Sequence, residues 1–178
     1  MIEWSEQHLL IRDMVRRFID AEIKPRLTEL EHGDTPPYDV LRKMMATFGL
    51  DEMARMRFAK QMAREKEGGA AKKERERTTE DIGMQLIPII ELCRYCPGMV
   101  TALGVSVGLA GNAVLSKGTL AQKERWALPL LTLEKIGAWA ITESGSGSDA
   151  FGGMKSTARR DGEGQQQRSF CHVSDTVA

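Results

Sequence analysis

The chain has 178 residues, room for one ordinary domain or two small ones, and its 42% hydrophobic and 28% charged content excludes a collagen-like or fully disordered polymer. Lys+Arg and Asp+Glu both total 25, so no net field draws it toward nucleic acid or an anionic membrane. Three cysteines, Cys93, Cys96 and Cys171, together with an N-terminus lacking a basic and apolar leader, predict a protein of the reducing cytoplasm.

Residues 5 to 24 predict a helix: Ile11, Met14, Val15, Phe18, Ile19 and Ile23 recur at helical spacing, Ser5 is the N-cap, and Pro25 ends the run. The breakers of 31–37 predict a loop. A second helix follows from Tyr38 to Thr47, stopped near Gly49, and a third begins at Asp51 and carries Met53, Met56, Phe58 and Met62. The methionines, Met44 and Met45 among them, are expected to fill gaps in the core. Residues 63–80 are mixed in charge with few apolar anchors and read as a solvated insertion.

Thr78 and Asp81 have the spacing of a capping pair for a helix through Met84 to Leu92, which Pro88 should bend or break. From Pro97 to Ser116 no residue is charged, but four glycines and Thr101, Ser106 and Asn112 dilute the run. A fully buried helix accounts for this better than a membrane span, although Gly104 and Gly108 share the spacing of membrane helix pairs. Thr119 and Gln122 have capping-box spacing, and Pro129 should end or bend the helix they start. Ile136–Thr142 is short, apolar and bounded by a glycine-serine turn, which predicts a buried strand, and 154–160 predicts a second one. Helices first and strands late give an α+β chain: an all-α domain joined to the first strands of a β domain.

Trp139-Ala140-Ile141-Thr142-Glu143-Ser144-Gly145-Ser146-Gly147-Ser148-Asp149 is the densest chemical signal. Gly145 and Gly147 allow close approach of a ligand and positive φ, and hydroxyls at Thr142, Ser146 and Ser148 add donors to an anion-binding bend. With no lysine nearby, this suits a diphosphate held along its edge. Gly145-x-Gly147-x-x-Ala150 formally matches a dinucleotide fingerprint, which requires a following helix inside a βαβ unit. Cys93-Arg94-Tyr95-Cys96 lacks a second ligand pair and reads as structural, as His8 and His32 read as capping or solvent-facing groups, so no metal site is expected.

The run Gly118-Thr119-Leu120-Ala121-Gln122-Lys123-Glu124-Arg125-Trp126-Ala127-Leu128-Pro129, followed by Glu134-Lys135-Ile136-Gly137, Ala140-Ile141-Thr142-Glu143, Gly145-Ser146-Gly147-Ser148-Asp149 and Lys155 to Gly162, resembles the acyl-CoA dehydrogenase family. The resemblance implies an N-terminal helical domain over 1–134 and the start of a middle β domain over 135–162. It also implies FAD as cofactor, an acyl-CoA substrate and an electron-transferring flavoprotein or similar acceptor. By the same resemblance Trp139, Ile141, Thr142, Gly147 and Ser148 would contact the flavin. Thr142 would lie at the pyrimidine edge, and Ser148 would also touch the acyl-CoA. Family members are usually tetramers, with proline where this chain has Ser144, so a looser turn is expected here.

Residues 163–178 match nothing in that pattern. They are expected to be an aberrant, disordered tail, from a frameshift or a truncated gene product, with the C-terminal helical bundle absent. In the family that bundle supplies the carboxylate that removes the substrate α-proton, so no catalytic residue is assigned and the chain alone is expected to be inactive. The rival expectation is a non-catalytic remnant or accessory helical subunit of a heteromeric assembly.

Overall fold

The computed structural model describes residues 4–68, 78–156 and the backbone of 171–174. Its contacts divide into two compact units that meet in sequence between Gly104 and Val105.

In the first unit, helix α1 (Glu6–Phe18) starts at Ser5, whose hydroxyl accepts the His8 amide while the His8 ring accepts the Ser5 amide. This capping box has histidine where glutamate is usual. The ladder then loosens into a π turn (Ile19–Ile23) and a 3-10 turn (Lys24–Arg26) around Pro25, which has no amide hydrogen to donate. The chain resumes as α2 (Leu27–His32), so the proline interrupts the helix where a full stop was expected. Helix α3 (Tyr38–Thr47) has the predicted bounds, and Gly49, at φ 64°, makes the left-handed turn into α4 (Leu50–Lys66). Helix α5 (Thr79–Cys93) carries the expected Thr78–Asp81 box and passes through Pro88 without ending. Of the mixed-charge stretch, residues 63–66 complete α4, and most of the remainder lies outside the described residues.

Helices α1 and α5 run parallel in constant register. Ser5 Oγ donates to Glu80 at 2.8 Å near their starts, and Arg16 donates twice to Glu91, both at 2.9 Å, near their ends. Val15, Phe18, Ile19, Ile23, Val40, Leu41, Met44, Met45, Met62 and Ile87 form the core. Met53 and Met56 face solvent instead of filling gaps, because α4 has no clear apolar stripe to direct them inward.

Helix α6 (Pro97–Leu103) continues through a π segment (Gly104–Gly111) into α7 (Asn112–Lys117). This run is long and apolar enough to cross a bilayer by length and composition, with a mean hydropathy of 1.6. The expected full burial is not found: Met99, Ser106, Ala110 and Gly111 are buried, whereas Gly98, Thr101, Gly104, Gly108 and Leu109 are exposed. Small residues hold most of the uncovered side, so little apolar surface is shown there for the number of residues involved.

In the second unit, α8 (Leu120–Gln122) opens with the predicted Thr119–Gln122 box and leads through a π turn (Lys123–Ala127) into α9 (Leu128–Leu131). Pro129 sits in the first turn of α9, where a missing amide hydrogen is tolerated. Strand β1 (Ile136–Trp139) pairs antiparallel with β2 (Cys171–Ser174), Ile136 opposite Ser174 and Trp139 opposite Cys171. Part of the segment expected to be a disordered tail is therefore a strand: Cys-His-Val-Ser offers backbone donors and acceptors to the open edge of β1. Of the strand expected at 154–160, Met154–Ser156 form no regular structure and the rest lies outside the described residues. A mostly helical chain that turns late to strand agrees with the α+β reading.

Candidate functional site

Strand β1 is held from behind by its glycine. A Cβ on Gly137 would lie 2.5 Å from Ala110 Cβ and 3.0 Å from Leu130 Cδ2, so only glycine permits this approach to the helices. The Gly137 amide donates to the buried Ser106 hydroxyl at 3.0 Å. Trp139, which ends β1, and Ile141 just beyond it are half-buried, and Thr142 is exposed.

The chain then reverses tightly. Glu143 and Ser146 exchange both backbone hydrogen bonds, at 3.0 and 3.1 Å, around Ser144 and Gly145. In this antiparallel exchange Thr142 and Gly147 are the next residues outward on the two arms, which brings the five expected site residues to one end of β1. Two side chains lock the bend. The buried Ser146 hydroxyl donates to the Asp149 carbonyl at 2.7 Å, and the Glu143 carboxylate accepts the Lys155 and Ser156 amides, both at 2.8 Å. Those bonds, with the Ser156 hydroxyl foremost, hold the Glu143 carboxyl below the usual carboxylate range. The segment is thus neither helical nor tucked away, and the exposed Gly147 and Ser148 complete it.

Two expectations about this turn are corrected. Among the described residues positive φ occurs at Gly49, Gly68 and Leu133, and neither Gly145 nor Gly147 adopts it. A Cβ on either would meet nothing within 4 Å, so the packing of the turn itself does not demand glycine at these positions. Ser146 cannot serve as a ligand donor, because its hydroxyl is committed to Asp149. Thr142 and Ser148 remain, both exposed and with no side-chain hydrogen bond to another described residue.

The dinucleotide fingerprint fails on topology. Only a single helical turn, α10 (Ala150–Gly153), follows, and the strand beside β1 is antiparallel where a βαβ unit needs a parallel one. Of the Cys-x-x-Cys pair, Cys93 is exposed at the end of α5 and Cys96 is buried, its thiol pushed up to about 11 by burial and by Glu31. This is the reverse of an activated redox thiol. Sequence reasoning missed the Ser106–Gly137 bond, which joins residues far apart in sequence; a glycine inside an apolar strand was the only available hint.

A family model for the acyl-CoA dehydrogenase N-terminal domain matches residues 5–134. The chain belongs to the acyl-CoA dehydrogenase family. It is 29% identical to a short-chain-specific acyl-CoA dehydrogenase of Clostridium acetobutylicum over 89% of this chain and 37% of that protein. Its identity to the 3-(aryl)acrylate reductase of Clostridium sporogenes is 34%, over 90% of this chain and 38% of that protein. Among solved structures, butyryl-CoA dehydrogenase from Megasphaera elsdenii matches with a TM-score of 0.51 at 24% identity, over 85% of this chain and 36% of that one, a likeness of fold. The chain therefore spans less than two-fifths of the length of these relatives.

Proposed function

We propose that this chain contributes the helical domain and the flavin-contacting turn to FAD-dependent α,β-dehydrogenation of acyl-CoA thioesters. The observation that carries the reading is the open turn at the end of β1, where Thr142 and Ser148 present hydroxyls and residues 145 and 147 present bare backbone. These features fit the cofactor. Trp139 and Ile141 offer apolar surface for a ring system, Thr142 a donor for its polar edge, and Gly147 with Ser148 a close backbone approach for a diphosphate and, at Ser148, for the acyl-CoA. When bound, FAD supplies acceptance of a hydride from the acyl chain. The protein holds the turn still through Glu143 and Ser146. The two amides tie the Glu143 carboxylate to the turn and hold it below the usual carboxylate range, which makes it a weak base, so the proposal assigns the substrate α-proton to a group outside the turn.

An electron-transferring flavoprotein is the proposed electron acceptor. Support comes from a further relative, the caffeyl-CoA reductase-Etf complex subunit CarC of Acetobacterium woodii, 32% identical over 87% of this chain and 36% of that protein.

The test is direct. The purified chain should bind FAD with quenching of flavin fluorescence. Gly147→Leu should abolish binding while leaving the far-ultraviolet circular dichroism unchanged. A folded wild-type chain that leaves FAD fluorescence untouched would favour the rival, an accessory helical subunit without cofactor.

A further inference from the structure

A cavity of about 140 Å³ lies between α1 and α5, within the first unit. Trp4, Leu9, Ile87 and Ile90 supply apolar walls. The remaining lining is charged and unbalanced: three guanidiniums, Arg12, Arg16 and Arg94, share the space with one carboxylate, Glu91, beside the buried His8. Arg16 neutralises Glu91 through its two 2.9 Å bonds. Arg94 reaches Glu91 only at 3.8 Å and is more than half exposed. Arg12 uses Nε and one terminal nitrogen on Asp13, which leaves its other terminal nitrogen outside that pair. A guanidinium has five donors, so Arg12 and Arg94 retain capacity for an incoming anion.

We propose that this cavity binds a small organic carboxylate with an apolar body, its ring or chain against Trp4, Leu9, Ile87 and Ile90 and its carboxylate toward Arg12 and Arg94. Size and charge together select the class. An enclosed apolar cavity of about 150 Å³ takes one benzene ring; this pocket has a similar volume, open to solvent and partly polar, with room for an aryl group or short alkyl chain beside its charged groups. A cation meets a net positive lining, three guanidiniums against Glu91 and the Asp13 partner of Arg12. A bare inorganic anion leaves the apolar walls in water. A carboxylate also suits the planar fork of arginine better than a single point charge would. The site is independent of the flavin reading, because no residue of 139–148 takes part.

Benzoate is the probe. In titrations of the full chain at constant ionic strength, amide resonances of residues 8–16 and 87–94 should shift saturably with a dissociation constant of about 1 mM, in the range expected for so few atoms. Benzamide, the uncharged isostere, should bind at least tenfold more weakly, and inorganic phosphate should not reproduce the shifts. Arg94→Glu, at an exposed position, should remove benzoate binding without unfolding the chain, and Leu9→Trp should do the same by filling the cavity. Equal binding of benzoate and benzamide, full retention of affinity in Arg94→Glu, or no saturable shift with benzoate would each overturn the proposal.

Discussion

Replacing Gly137 by alanine tests the packing that aims the turn. The new Cβ would start 2.5 Å from Ala110 Cβ, whereas carbon atoms settle near 3.5–4.0 Å, so strand and helix must part by about 1 Å or more. Leu130 Cδ2, at 3.0 Å, is a side-chain tip and can rotate away, but Ala110 Cβ is fixed to the helix backbone. The same movement stretches the 3.0 Å bond from the Gly137 amide to Ser106 beyond hydrogen-bonding range and leaves a buried donor without its partner. Overpacking of this kind costs about 1–3 kcal/mol. For a chain of this size that corresponds to a fall in Tm of roughly 2–12 °C. The decisive assay is a double-mutant cycle by thermal melting. Ala110→Gly alone costs about 0.5–1 kcal/mol for glycine in a helix, but it also removes the atom that Gly137→Ala strikes. The double variant should therefore be more stable than the sum of the two losses by about 1 kcal/mol. Strict additivity, or an unchanged Tm in Gly137→Ala, would refute the reasoning.

Arg16→Ala should lower Tm more than the Arg16→Ala/Glu91→Gln double variant, because the single change strands a carboxylate whose side chain is only 5% exposed. Arg16 holds the Glu91 carboxyl below its ordinary 4.5, so the stability due to the pair is complete above that value and is lost as pH falls through the lower folded one. Glu91→Gln should accordingly flatten the acid limb of Tm against pH. In a Cys171→Ser background, a thiol reagent should modify Cys93 at once and Cys96 only on unfolding, since Cys96 is 1% exposed and its thiol sits at about 11. Glu143→Gln should reduce hydrogen-exchange protection of the Lys155 and Ser156 amides several-fold; in the wild type that protection should persist above 4.5 and disappear as pH falls through the lower folded value of Glu143.

What could be read from the residues was what is local. The caps at Ser5, Thr78 and Thr119 were legible because donor and acceptor stand three residues apart in the chain. The bounds of α3 and the strand at 136–139 were legible because apolar spacing and breakers agree there. The ties that assemble the units were not legible. Ser5 and Arg16 each meet partners 75 residues away, and Ser106 meets Gly137 across 31, separations for which periodicity holds no signal. Pro25 misled for a related reason, since its cost depends on which carbonyls lack a donor, and a π turn followed by a 3-10 turn absorbs it without ending the helix.

The turn itself shows where composition stops being informative. Its glycines and hydroxyls were recognised, but equal residue types do unequal work. Ser146 faces inward and closes the bend, while Thr142 and Ser148 face out, and only burial separates the two roles. This bears on Ser144, where the family resemblance implies proline and a looser loop is expected. Proline stiffens a bend by narrowing the unfolded ensemble, an effect of about 0.4–1 kcal/mol. Here the bend is restrained in the folded state instead: two backbone bonds between Glu143 and Ser146, two amides on the Glu143 carboxylate and one hydroxyl on Asp149. Each of these anchors lies outside the Ser144–Gly145 tip, so the residue at 144 can change while the arms bearing Thr142 and Gly147 stay where they are. Preorganisation of the turn therefore rests on Glu143 and Ser146, and substitutions there should matter more than any at 144.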